Sequence, residues 1–371
     1  ILEKSTAFED VVRGEWIAPW GVVEAKRTGL YDVLRGANDY HIPRHIEYGD
    51  GLDPAAGEAP AGQLAMLPGI PGPLSVGHPQ ACQALFDAAV AAGATGVRGV
   101  TDVAVEPGAA PCVRYSAGGE AHEGAVFLAG AVEAEALDVR DPAAEGAHLH
   151  AGERPEAAEN GVGADGRGSV VRSRAGIELP QEKTRPYFAG MLVDGADGWP
   201  IDTETMGTEG DVQFFVFPQA PGRLRLYLSF GLDQKSRFAG SDKERKFLEA
   251  FRLSTVPNSE SIANARIAGP CHAIPNHSTW TDTPVAPGVV LLGDAAGYND
   301  PIIGQGLSVT LRDVRIVSEL LLGSDNWGEA LFQPYVEERR ERMRRLRVAA
   351  AMDSVVHAEF GPEATARKLR I

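Results

Sequence analysis

A chain of 371 residues with 44% apolar residues is long enough to bury a sizeable core and to divide into two fused lobes. Its 51 acidic residues against 35 basic ones leave a formal net charge of -16, which speaks against nucleic acid or an anionic membrane as its main partner. It has no run of about 18 apolar residues to cross a membrane, no secretory signal behind Ile1-Leu2-Glu3-Lys4, and three scattered cysteines, Cys82, Cys112 and Cys271, that form neither a CxxC pair nor a zinc spacing. Reduced thiols in a cytoplasmic protein are the expectation.

In chain order, residues 1–4 read as the end of a buried strand and Trp16 to Gly21 as a loop. Val22 to Leu30 has the pattern of a short helix stopped at Gly29. Residues 36–74 are rich in Gly, Pro and Ala and read as loops and short strands. Pro79 to Ala92 reads as a helix with Cys82, Leu85, Phe86 and Ala89 on one face and Gly93 as its stop. Val97 to Val105 and Cys112 to Tyr115 alternate like a strand pair. Residues 116–160 are dominated by Ala, Glu, Gly and His; a stretch so poor in large apolar side chains buries little and is expected to be loosely ordered, as an insertion or a local reading-frame error.

Beyond Gly161 the pattern is globular again. Val212 to Phe217 and Arg223 to Phe230 form a hairpin around Pro218-Gln219-Ala220-Pro221-Gly222. Of its aromatic residues Phe214, Phe215, Phe217 and Tyr227, some face the core and others are candidates to line an apolar substrate pocket. Lys243 to Phe251 reads as a short helix with a polar face, and Val289-Val290-Leu291-Leu292 as a strand buried on both faces. Gly306 to Leu322 is amphipathic, with Leu307, Leu311, Val314, Val317 and Leu321 turned inward. Glu329 to Met352 is the last long helix. Its basic run from Arg339 to Arg347, set among Glu337, Glu338 and Glu341, reads as a solvated face.

The sharpest signal follows the buried strand. Gly293-Asp294-Ala295-Ala296 comes directly after it, and Asp300-Pro301 and Gly304-Gln305-Gly306-Leu307 lead into the amphipathic helix. Ligands of open α/β sheets bind at the C-terminal edge of the strands. A helix N-terminus there presents free amides and a positive dipole end, glycines let the backbone approach closely, and an Asp accepts hydrogen bonds from ribose or ribityl hydroxyls. The run GDAAGYNDPIIGQGLSVTLRD resembles the GD motif of class A FAD-dependent monooxygenases, the aromatic hydroxylases of the p-hydroxybenzoate hydroxylase type. The resemblance implies that Gly293 and Asp294 hold the ribityl chain of FAD, and that Pro301, Gly304, Gln305, Gly306 and Leu307 lie beside the isoalloxazine. Gly297 stands where many relatives carry His.

Two further stretches carry the resemblance. Gly163-Ala164-Asp165-Gly166-Arg167, with Ser169 and Arg172, is similar to the family's DG motif; this implies a place for Asp165 near the FAD pyrophosphate and the nicotinamide donor. Val12-Arg13-Gly14-Glu15 is similar to the family's RxGE stretch. That implies a pyrophosphate contact for Arg13, whose planar fork suits phosphate oxygens, and a ribose contact for Glu3 at the end of the second Rossmann strand. Gly161-x-Gly163-x-x-Gly166 also fits GxGxxG, but polar residues with Pro155 precede it, and a dinucleotide fingerprint needs a strand there. The true phosphate turn lies roughly 20 to 30 residues before the ribose-binding acid. The chain is therefore expected to begin after that turn, as an N-terminally truncated form that binds FAD weakly or not at all.

The expectation is an α/β fold: a Rossmann-like FAD-binding lobe from 1–175 and 271–371, interleaved with a mostly antiparallel-sheet substrate lobe from 176–270 that takes up part of 40–75. By resemblance, FAD is reduced by NADH or NADPH and transfers one atom of O2 through a flavin C4a-hydroperoxide to an organic, aromatic substrate in the cytoplasm. The alternatives are a flavin-dependent halogenase or prenyl-type reductase of the same fold, or an inactive truncated fragment. The halogenase WxWxIP motif is not seen at Trp16-Ile17-Ala18-Pro19-Trp20. No catalytic side chain and no metal site are assigned, and His148-x-His150 is read as solvent-exposed.

Overall fold

The computed structural model describes the chain apart from residues 11, 13, 14, 38, 51–66, 109–110, 125–127, 130–160, 369 and 371. The first of its sheets is six-stranded, in the spatial order Val285–Ala286, Val289–Leu291, Gly161–Gly163, Leu128–Ala129, Leu2–Glu3, Val97–Arg98. All neighbours run parallel except the edge strand Val285–Ala286. Parallel strands are buried on both faces, and the apolar run at 289–292 splits accordingly. Val290 and Leu292 pack with Val317 and Tyr335 from the two long helices Gly306–Leu322 and Gln333–His357, and with Phe332 from the 3-10 turn just before the second. Val289 and Leu291 face Leu2, Val100, Val113 and Val171 on the other side. Each such side chain contributes about 1.5–3 kcal/mol by leaving water.

That second face is covered by an antiparallel meander, Thr101–Glu106, Cys112–Ala117 and Glu120–Gly124. This corrects part of the reading of 116–160 as loosely ordered. Ser116 and Ala117 pair in register with Ala121 and Glu120 across the Gly118-Gly119 turn, the pairing runs on to Gly124, and Leu128–Ala129 holds a position in the parallel sheet. Backbone pairing across a hairpin tolerates Glu and His on its solvent side. The rest of that segment, with His148 and His150, lies outside the described residues.

A second sheet has seven strands ordered Arg266–Ile267, Tyr187–Asp194, Arg223–Phe230, Val212–Ala220, Thr203–Glu209 and Arg44–Gly49, with His272–Pro275 also on Tyr187–Asp194. It is antiparallel except where Arg44–Gly49 runs parallel to Thr203–Glu209. Gly207 allows that pairing, because a Cβ there would meet the Tyr48 carbonyl oxygen at 1.8 Å. The sheet runs past the expected boundary at 270. The free edge of Tyr187–Asp194 is shared by two short strands, and the second ends at Pro275, which has no amide to donate. Along the hairpin the faces alternate. Phe214 and Val216 enter a core with Phe247 and Phe251, while Phe215 and Phe217 turn to the opposite face.

Trp16 to Gly21 is not a loop. Trp16–Ile17 pairs with Leu74–Val76, and a helix begins at Pro19, whose ring suits a first helical position. Gly21 brings this helix close to Gly306–Leu322, since a Cβ would come within 2.3 Å of Ser308 Oγ. The same hydroxyl accepts from the Ala18 amide at 2.9 Å.

Candidate cofactor-binding site

The site begins where the Val289–Leu291 strand ends. Gly293–Ala296 forms a single 3-10 turn with Gly293 at φ 56°, and Gly297 leaves it at φ 100°. The Asp294 side chain is about a quarter exposed at this strand edge, and its Oδ2 accepts from Arg167 Nε at 3.3 Å. A second turn, Pro301–Ile303, is capped by Asp300, whose Oδ1 accepts from the Ile302 amide at 3.0 Å, and it closes on Gly304 at φ 61°. Burial pushes the Asp300 carboxyl up to about 6.

The helix then starts at Gly306 with no side chain capping it. Its first intrahelical bond is Val309 N–H to Gln305 O, so the amides of Gly306, Leu307 and Ser308 stand ahead of the ladder. Space is open beside Gly306, where a Cβ would meet nothing within 4 Å. Gln305 is fixed by Trp20 Nε1, which donates to its Oε1 at 2.7 Å, and by its own Nε2, which donates to Ile303 O. In the connecting loop, both amide atoms of Asn299 are buried with no hydrogen-bond partner among the described residues. A carboxylate, free helix amides and an unengaged carboxamide at one strand edge are a donor and acceptor set that fits a flavin with its ribityl chain.

The DG motif lies on the neighbouring strand. Gly161 and Gly163 sit within that strand opposite Val289 and Leu291, and not in a phosphate turn after it. Gly163 serves packing, because a Cβ would press on Leu291 and Val171 at 2.7 and 2.8 Å. Asp165 is buried and fully engaged: it accepts from Ser169 Oγ at 2.5 Å and from the amides of Val170 and Val171 at 2.7 and 3.1 Å. It therefore caps the short helix Val170–Arg174 together with Ser169. Arg167 lies over the Tyr298 ring at 4.2 Å, and the Tyr298 hydroxyl meets His277 Nε2 at 2.6 Å. Arg172 donates to Ala295 O at 3.1 Å, joining the DG turn to the GD turn.

Glu3 is buried at the end of its strand, where it accepts from the Ser5 amide at 2.8 Å. Arg13 lies outside the described residues. Its neighbour Glu15 is buried, accepts from the Tyr227 hydroxyl at 2.5 Å and pairs with Arg225 at 3.1 Å.

With this geometry in view, comparison with known proteins is decisive: residues 134–350 match the FAD binding domain family. The chain belongs to that family. The 3-demethoxyubiquinol 3-hydroxylase of Escherichia coli is 39% identical over 196 residues, covering 50% of this chain and 46% of that enzyme. The chain spans about half the length of the curated relatives it matches, 45% and 46% in two of them. Solved flavoenzymes share its fold. The p-nitrophenol 4-monooxygenase PnpA of Pseudomonas putida superposes with TM-score 0.74 at 15% identity, over 99% of this chain and 84% of that one. HpxO of Klebsiella pneumoniae, solved with FAD and uric acid, superposes with TM-score 0.71 at 17% identity, over 98% and 84%.

In this FAD-binding domain, one expectation is corrected. The run from Arg339 to Arg347 is not simply a solvated face. Arg344 and Arg345 are exposed and pair with Glu341, but Arg339 is buried and Arg342 nearly so, both on Asp313. Burial opposes charge on Asp313, yet Arg339 and Arg342 hold its carboxyl below the usual range. Linear sequence showed only a charge run. The one available cue was an Asp on the apolar stripe of the Gly306–Leu322 helix, where a lone carboxylate needs a cationic partner. Among the described residues no helix is long and apolar enough to cross a membrane.

Proposed function

We propose that this chain is the FAD-binding core of a flavin-dependent monooxygenase that uses NADH or NADPH and O2 to oxygenate an apolar, aromatic small molecule. When bound, FAD supplies the redox chemistry, accepting a hydride from the nicotinamide and delivering electrons to dioxygen so that one oxygen atom is transferred. Asp294 would take the ribityl hydroxyls, and the amides of Gly306 and Leu307 would face the polar edge of the ring system, with Pro301 and Gly304 beside it. Glu3 would hold the adenosine ribose and Arg13 the pyrophosphate. Asp165 would act through the turn it caps. The observation that carries this reading is the partly exposed Asp294 carboxylate on a strand edge shared with an uncapped helix N-terminus.

The substrate would meet the face of the second sheet, the substrate lobe, that is turned toward the Pro301–Ile303 turn and the last helix. Phe188, Phe215 and Tyr227 pack there with Ile302 of the turn beside the flavin position. The stacked Phe188 and Tyr227 rings, 4.8 Å apart and both buried, would form the aromatic wall against which a flat apolar ring seats. Burial and the Glu15 carboxylate keep the Tyr227 phenol protonated, with its one hydrogen donated to Glu15. The free cysteines fit work in a reducing cytoplasm.

The test is retention of FAD after gel filtration, followed by NADH and NADPH oxidation with candidate phenols and quinols. It uses the chain as it stands and the chain extended by a phosphate-binding strand, turn and helix. Flavin on the extended chain and substrate-dependent oxygen uptake are expected. Absence of flavin from both proteins overturns the reading.

A further inference from the structure

The turn that carries Asp294 is held from behind by one side chain of the last helix. Arg339 Nη1 donates to Ala296 O at 2.8 Å, and its Nη2 donates to Gly293 O and Gly297 O at 2.9 and 3.0 Å. Its Nε donates to Asp313 Oδ2 at 3.0 Å, and that same oxygen accepts from the Gly293 amide at 2.8 Å. Both side chains are essentially without exposure, at 1% and 0%. A second arginine, Arg342, holds Asp313 Oδ1 at 2.5 Å, and Tyr335 donates to Leu291 O at 2.7 Å just before the turn.

From the other side the turn is touched by Arg172, at Ala295 O, and by Arg167, at the Asp294 carboxylate. Two of its glycines sit at positive φ, and the Gly297 N–H to Asp294 O bond at 3.1 Å closes its end. Buried carbonyls need partners, and a single planar guanidinium supplies them for three residues around Asp294. A buried ion pair is a weak source of net stability, so the pair is better explained by the shape it specifies.

We propose that Arg339, oriented by Asp313, is a positioning residue for FAD: it sets the Gly293–Gly297 turn so that the Asp294 carboxylate faces the cofactor edge of the sheet. This rests on the FAD reading above. Arg339 touches no cofactor itself and acts through the turn.

The experiment compares the parent with Arg339→Lys and Asp313→Asn, each alone and combined with Asp294→Ala. FAD affinity is read by quenching of flavin fluorescence, and local order by amide hydrogen exchange at 293–297. Loss of charge-assisted hydrogen bonds should weaken FAD binding roughly tenfold or more in Arg339→Lys. In the Asp294→Ala background the same change should add less than about twofold, because coupled sites are not additive. Full additivity, or unchanged affinity with unchanged exchange at 293–297, overturns the proposal. If Arg339→Lys fails to fold, Asp313→Asn is judged by the same criteria. If the parent binds no FAD, the affinities are read in the extended chain; if neither binds it, the functional reading fails and the positioning proposal is decided by exchange, which must rise at 293–297 above the rise elsewhere in the chain.

Discussion

Arg167 and Asp294 meet at 3.3 Å although 127 residues separate them, so the DG turn and the GD turn share one ion pair. Both side chains are about 30% exposed, at 31% and 28%, and pairs in that setting contribute only about 0–1 kcal/mol. Arg167→Gln should therefore leave the melting temperature almost unchanged. It should weaken FAD binding several-fold, more at low salt than at high salt, since it removes a cation from the site proposed for a pyrophosphate-bearing ligand. Titrations at two ionic strengths check this; equal affinity of the variant and parent at low salt defeats it.

Gly297 cannot be replaced without moving backbone. Its φ is 100°, and a Cβ would approach Trp280 Cα at 2.6 Å and Thr279 O at 2.7 Å. Left-handed strain and a clash with backbone on the facing segment together should cost about 2–4 kcal/mol in Gly297→Ala. Gly297→His should fare no better here. Denaturant unfolding measures it, and a variant as stable as the parent would show that the turn follows another path.

Asp300 gives a stability change with a defined pH window. Burial raises its carboxyl from 3.8 to about 6 in the folded chain. Because the folded value is the higher one, the stability it contributes is present below 3.8 and is lost as pH rises through about 6. The rise corresponds to roughly 3 kcal/mol. Asp300→Asn keeps an acceptor for the Ile302 amide and should be more stable than the parent at about pH 7.5, yet similar to it at about pH 4. Melting curves at both pH values decide, and an equal gap at the two would contradict the assignment.

Glu24 anchors the first helix to the helix that opens at Gly306. It is buried, and it takes Arg312 at 3.3 Å and a close contact from Arg315. Arg312 continues to Glu338 at 2.7 Å, which holds Arg342 at 3.1 Å. Glu24→Ala removes the buried acceptor of two charged hydrogen bonds while Arg312 and Arg315 keep Glu338 and Glu319, so it should lose about 1.5–3 kcal/mol. Glu24→Gln, which keeps an acceptor, should lose clearly less. Equal losses in urea unfolding would mean that packing, not charge, sets the effect.

Much of the fold could be read in linear form because its signals are local. Leu307, Leu311, Val314 and Val317 repeat at helical spacing, and the helix spans Gly306–Leu322 as expected. Val289 to Leu292 is an unbroken apolar run, and it is the buried strand. Where reading failed, a distant partner decided the outcome. Pro19-Trp20-Gly21 looks like a turn until Ser308 fills the space that a side chain on Gly21 would need. His272–Pro275 looks like the start of the next lobe until it pairs with Tyr187–Gly190.

Sequence alone determined the chemistry of the site: a carboxylate, glycines and a helix start in an order that local backbone preferences turn into strand, turn and helix. It equally determined the alternation that places Phe214 and Phe215 on opposite faces of one strand, because side chains there must alternate. Only the tertiary structure decided the role of Arg339. A charge run on a helix has no orientation until the helix is packed, and a guanidinium finds the carbonyls of Gly293, Ala296 and Gly297 only when positions 42 or more apart in the chain have folded together.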